Sequence, residues 1–237
     1  MSGPGGSSAQ PALSKKHTPA LTAAAPSQER TRTRREPGDL ERIRPGYEAA
    51  IAAELDAILE AIPHQDLAIQ WDLAWELSAV YEIPRGYEAE GRIETHMGPV
   101  ERLSQKLPGE VALGFHFCFG TFGGWPRFAP KDLGRAVDLV NATVKATGRR
   151  VDWVHIPTLD RSDSEFFAPL ARLETAGARV YLGLIHSMDS FKARLDVARK
   201  YLPSFGVAAY CGFGRTPPQE MPKILDDHLT ALKLAKN

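Results

Sequence analysis

The sequence predicts an α/β protein, a parallel sheet whose strands are joined by covering helices. Two observations carry this. Short apolar runs alternate with longer amphipathic runs over most of the chain. The short runs are apolar nearly throughout, as strands covered on both faces must be. Right-handed crossovers then leave a doubly wound sheet or a (β/α) barrel.

The elements follow in order. Residues 1–45 are rich in Gly, Ser, Ala and Pro, lack periodicity, and end in the basic run Arg30-Thr-Arg-Thr-Arg-Arg35. Such a segment cannot bury enough apolar area to offset its ordering entropy, so it is expected to be a disordered extension. Residues 46–237 form the ordered domain. Tyr47–Ile62 carries Ile51, Leu55, Ile58, Leu59 and Ile62 at helical spacing and stops at Pro63. The expected strands are Leu67–Ala74, Val111–Gly120, Val151–Pro157, Arg179–His186 and Gly206–Cys211. The helices between and after them are Met97–Lys106, Ala129–Thr147, Ser164–Ala176, Phe191–Tyr201 and Pro218–Leu234. A closed (β/α)8 barrel takes eight strands and about 250 residues. Five strands fall short of that number and leave Leu67–Ala74 and Gly206–Cys211 as sheet edges.

Composition narrows the function classes. Lys+Arg and Asp+Glu both number 29 in the 237 residues, so the net charge is zero and gives no reason to expect nucleic acid or an anionic membrane as partner. No apolar run approaches the roughly 18 residues of a membrane span. No basic-then-apolar leader opens the chain, so the two cysteines are expected as reduced thiols in the cytoplasm.

Those cysteines carry the chemistry. In Gly114-Phe-His-Phe-Cys-Phe-Gly120, strand alternation puts His116 and Cys118 on one face and the phenylalanines on the other. Cys211 stands at the end of the last strand, before the loop Gly212-Phe-Gly-Arg215. An imidazole and two thiolates form a metal-binding set, and three protein ligands plus an open position is the pattern of catalytic zinc. The plain reading is that a lone His or Cys in a strand packs in the core. Gln70 and Asp72 share one face of their strand, and Asp72 is a candidate for holding an ammonium group. His155 and His186 are possible further ligands or partners of ligands. Arg215 is a candidate for a carboxylate or phosphate. Asp163, just before Ser164–Ala176, reads as a helix N-cap.

Taken together, Ile69-Gln-Trp-Asp72, His116-Phe-Cys118, Arg161-Ser-Asp163 and Cys211-Gly-Phe-Gly-Arg215 resemble, in order and rough spacing, the C-terminal catalytic barrel of cobalamin-independent methionine synthase. The wider group includes uroporphyrinogen decarboxylase-like barrels. The resemblance covers Leu67 to the C-terminus and implies a (β/α)8 TIM-barrel fold of which the C-terminal five βα units are present. It implies His116, Cys118 and Cys211 as Zn2+ ligands, and Asp72 as the group that holds the amine of homocysteine. It also implies a methylated tetrahydrofolate as methyl donor. One position departs from the family: where it has a glutamate ligand, this chain has Pro157, with His155 two residues earlier on the same face.

The expected activity is zinc-dependent methyl or alkyl transfer to a small-molecule thiol. Two alternatives accompany it. One is a related alkyltransferase or demethylase acting on a different, aromatic substrate, drawing on Trp71, Trp75 and Trp125. The other is an inactive fragment, or a subunit whose barrel is completed by a homo-oligomer or a separate half.

Overall fold

The computed structural model describes residues 20–24, 39–81, 92–121, 125–214 and 216–236. Six parallel strands form one sheet: β1 (Ala20–Ala24), β2 (Ala68–Leu73), β3 (Ala112–Phe117), β4 (Trp153–Pro157), β5 (Arg179–Ile185) and β6 (Gly206–Ala209). Their spatial order is their chain order, β1 to β6. A doubly wound sheet reverses its strand order at a switch point. This sheet has no reversal, an order consistent with a partial TIM-barrel-like fold.

Helices fill the connections: α1 (Asp39–Ala61), α2 (Ala74–Val80), α3 (Arg92–Gln105), α4 (Gly134–Thr147), α5 (Ser164–Phe167), α6 (Phe191–Tyr201) and α7 (Met221–Ala235). None among the described residues is long and apolar enough to cross a membrane. α6 has the bounds its periodicity predicts. α5 is far shorter than Ser164–Ala176, because Pro169 opens a 3-10 turn over Ala168–Arg172 and cannot supply the next helical N–H. Asp163 caps α5 as expected, its side chain accepting from the Phe166 N–H at 3.0 Å.

Two elements fall inside the segment assigned to a disordered extension. β1 pairs with β2, with Ala20 beside Ala68 and Ala24 beside Asp72, and α1 starts at Asp39 rather than Tyr47. Leu67–Ala74 is therefore not a sheet edge. The ladder of free N–H and C=O groups on β2 provides what the sequence of β1 does not advertise. Among the described residues, β1 and β6 each pair on one side only.

Strand alternation divides the side chains. Ile69, Trp71 and Leu73 of β2, Leu113, Phe115 and Phe117 of β3, Val154 and Ile156 of β4, and Leu182 and Leu184 of β5 are buried in one core. Val137, Leu139 and Val140 of α4 and Phe191, Leu195 and Ala198 of α6 belong to the same core. Each large apolar side chain so buried stabilises the fold by about 1.5–3 kcal/mol before entropy is counted. The opposite face carries Gln70, Asp72, His116, Trp153, His155 and Tyr181, most of them half-buried. Trp71 belongs wholly to the core, which removes it from any substrate-facing role.

Arg194 of α6 holds the sheet's C-terminal end together. It is fully buried. Its Nε donates to the Leu184 carbonyl at 3.1 Å and its Nη2 to the Ser187 carbonyl at 2.5 Å. Nη1 donates to Ser190 Oγ at 2.6 Å and pairs with the Asp160 carboxylate. Arg194→Met keeps most of the stem's packing and strands these acceptors. We expect a loss of about 2–5 kcal/mol of unfolding free energy in urea titration; a loss below 1 kcal/mol would show that the network contributes little.

Candidate metal centre

The centre is built at the C-terminal ends of the strands. Sheet register sets Asp72, His116 and His155 side by side on β2, β3 and β4. Cys118 follows β3 by one residue, and Cys211 follows β6 by two, so both thiols come from the turns just past strand ends. Cys118 Sγ lies 3.1 Å from Cys211 Sγ, and Cys211 Sγ lies 3.6 Å from His116 Nε2. The donor atoms of His116, Cys118 and Cys211 all fall within 4.8 Å of one another. Residues 93 positions apart in sequence thus meet at one point.

The two sulfurs lie within hydrogen-bonding distance of each other. The contact with Cys211 and burial both push the Cys118 pKa up. Cys211 is pushed down, chiefly by its hydrogen bond with Cys118 and also by facing His116. The Gly120 N–H donates to Cys118 Sγ at 3.2 Å. A pair of sulfurs, Cys118 buried and Cys211 half-buried, with an adjacent imidazole nitrogen is a soft donor set, and its chemistry fits zinc.

The expected neighbours divide. Both ring nitrogens of His155 are engaged: Nδ1 lies 2.8 Å from His116 Nδ1, and Nε2 lies 2.9 Å from the Ala209 carbonyl. His155 is not among the three converging donors. Burial, then the neighbouring His116, lower its pKa to about 3. His186 stands apart from the thiols, donating from Nε2 to the Thr158 carbonyl at 3.0 Å. Its ring stacks on Tyr210 at 4.9 Å, and Tyr210 stacks on Trp125 at 4.5 Å. Trp75 lies under the Arg127 guanidinium at 5.0 Å. Arg215 lies outside the described residues.

Asp72 is oriented by its own strand. Trp153 Nε1 donates to Gln70 Oε1 at 3.1 Å, which turns the Gln70 amide so that its Nε2 donates to Asp72 Oδ1 at 3.2 Å. Burial raises the Asp72 pKa, against the opposing pull of His116 and of the Gln70 hydrogen bond. Trp153 can lie there only because Gly114 has no side chain: a Cβ at Gly114 would come within 1.8 Å of the indole. Trp153 and Gly114 were not singled out from sequence. Their signal is the strand register, which is invisible until β3 and β4 are paired.

No protein-family model matches the sequence, and no curated protein matches it. Among solved structures, the chain is similar to a protein from Listeria monocytogenes provisionally named a vitamin-B12 independent methionine synthase. The likeness has a TM-score of 0.59 at 20% sequence identity, over 92% of this chain and 63% of that one. At this identity it shows the fold. The chain spans less than two thirds of that structure's length.

His186 makes the stability pH-dependent. Burial lowers its pKa from 6.5 to about 4, with Arg194 adding to the shift. A depressed histidine pKa means that below pH 6.5 the unfolded chain binds a proton that the folded chain refuses. Stability is therefore full above pH 6.5 and falls as the pH drops towards 4. Between pH 6.5 and pH 5 the loss from this residue is on the order of 2 kcal/mol. His155 adds a loss of the same sign. Urea midpoints for chelator-treated protein should fall over this range, and His186→Gln should flatten the fall. An unchanged slope in that variant would assign the acid sensitivity elsewhere.

Proposed function

We propose that the chain is a zinc-dependent alkyltransferase that moves a methyl group from a donor such as a methylated folate to a small-molecule thiol such as homocysteine. The observation that carries this reading is the convergence of His116 Nε2, Cys118 Sγ and Cys211 Sγ, with Asp72 in register beside His116. The resemblance of His116-Phe-Cys118, Cys211-Gly212 and the Gln70–Asp72 strand to the methionine synthase barrel supports it. So does the structural likeness to a protein of that name.

Zinc bound at a thiolate-rich site with an open position lowers the pKa of an incoming thiol, so that the acceptor reacts as thiolate at neutral pH. The chain's residues supply the rest. Asp72 receives the acceptor's ammonium group, and a positive partner offsets the burial that otherwise favours its protonated form. The Gln70 amide holds the Asp72 carboxylate in one orientation. In the transfer, the acceptor sulfur forms the new C–S bond to the methyl carbon. The donor nitrogen keeps the electron pair of the broken N–C bond and takes up a proton. Holding the two reactants in line contributes several kcal/mol of barrier reduction.

Pro157 stands where the family has a ligating glutamate, so the proposed centre has three protein ligands. Closure of the (β/α)8 barrel, by a second copy or by further polypeptide, belongs to the same proposal.

Elemental analysis of purified protein should find about one zinc per chain, and Cys118→Ser and Cys211→Ser should each lose it. Unchanged zinc in both variants would overturn the metal reading. Asp72→Ala should keep its zinc and weaken acceptor binding at least about tenfold, the scale of a lost charge-assisted hydrogen bond. Loss of zinc in Asp72→Ala would instead make Asp72 part of the metal site.

A further inference from the structure

The hydrogen bonds of His155 run in one direction. A backbone carbonyl only accepts, so His155 Nε2, 2.9 Å from the Ala209 carbonyl, carries a hydrogen. In a neutral His155, Nδ1 is then a bare acceptor. The Nδ1 of His116, 2.8 Å away, must be the donor across that contact. In a neutral His116, Nε2 is then left with its lone pair, and this is the nitrogen that faces Cys211 Sγ. Which ring nitrogen of a histidine binds metal is set by the hydrogen bond that the other one makes.

The carbonyl at the start of this relay is itself placed. His155 lies on β4 and Ala209 on β6, on either side of β5, where Gly183 stands in register with Pro157. A Cβ on Gly183 would lie 2.8 Å from Tyr210 Cα, 3.1 Å from the Ala209 oxygen and 3.3 Å from Pro157 Cα. The absence of that side chain brings β4 and β6 close enough for the contact.

We propose that His155 is a positioning residue: it passes the direction of the Ala209 carbonyl through two imidazoles and fixes His116 as the Nδ1–H tautomer, with Nε2 presented to the metal. The role rests on the reading of His116, Cys118 and Cys211 as a zinc site. It differs from direct ligation, in which one ring nitrogen of His155 would have to leave its present partner.

The test reads the tautomers directly. Two-bond proton–nitrogen correlation spectra of 15N-labelled protein, with and without added zinc, report which ring nitrogen of each histidine is protonated. Wild type should show His116 protonated at Nδ1 and His155 at Nε2 in both states. His155→Leu should shift metal-free His116 towards the Nε2–H form and weaken zinc binding about 10- to 100-fold. His155→Gln can accept from His116 and donate to Ala209, and should recover zinc affinity to within a few-fold of wild type. Protonation of His116 at Nε2 in wild type would overturn the proposal. So would an unchanged His116 tautomer in His155→Leu, or a Gln variant no better than Leu. Wild type that binds no zinc at all would sink the metal reading, while the metal-free spectra would still decide the positioning role.

Discussion

The lateral register of β2, β3 and β4 is the constraint on which the rest of the site depends. Asp72, His116 and His155 are neighbours because the backbone ladders pair those positions and no others. The register is enforced from the opposite face. Phe115 and Phe117 are completely buried against the helices, and a slip of one residue would turn them inward and put His116 into the apolar core. The hydrophobic layer thus specifies the polar one without touching it.

On the inner face, groups with one hydrogen-bonding role set the groups with two. The Ala209 carbonyl can only accept, and it orders His155. The Thr158 carbonyl does the same for His186. Trp153 Nε1 can only donate, and it orders the Gln70 amide and through it Asp72. Backbone carbonyls and an indole do not titrate near neutral pH, so these settings hold across the range in which the histidines and thiols change state. Side chains ordered in this way lower the entropy cost of any binding that uses them.

Much of the architecture was legible because it rests on local periodicity. The five strands from β2 to β6 and helix α6 follow from apolar runs and their spacing. β1 was not legible: Ala-Leu-Thr-Ala-Ala has little strand character of its own, and its pairing comes from the free edge of β2. The truncation of α5 was written in Pro169 but outweighed by the apolar spacing around it. Trp71 alternates with Gln70 and Asp72 and is a core residue, as its strand parity requires.

By itself the sequence determined which side chains could do chemistry and which strand ends would bear them. Side-chain parity within a strand is a local property, so His116 with Cys118, and Gln70 with Asp72, were paired before any fold was known. Only the tertiary structure decided that Cys211 closes onto Cys118 and that His155 turns to His116 and Ala209. It alone decided that Gly114 and Gly183 are bare so that Trp153 and the β6 backbone can approach. These contacts join separate strands, and their geometry depends on register, crossover and a bulge between Leu182 and Ile185, none of which is encoded in the spacing along one chain segment.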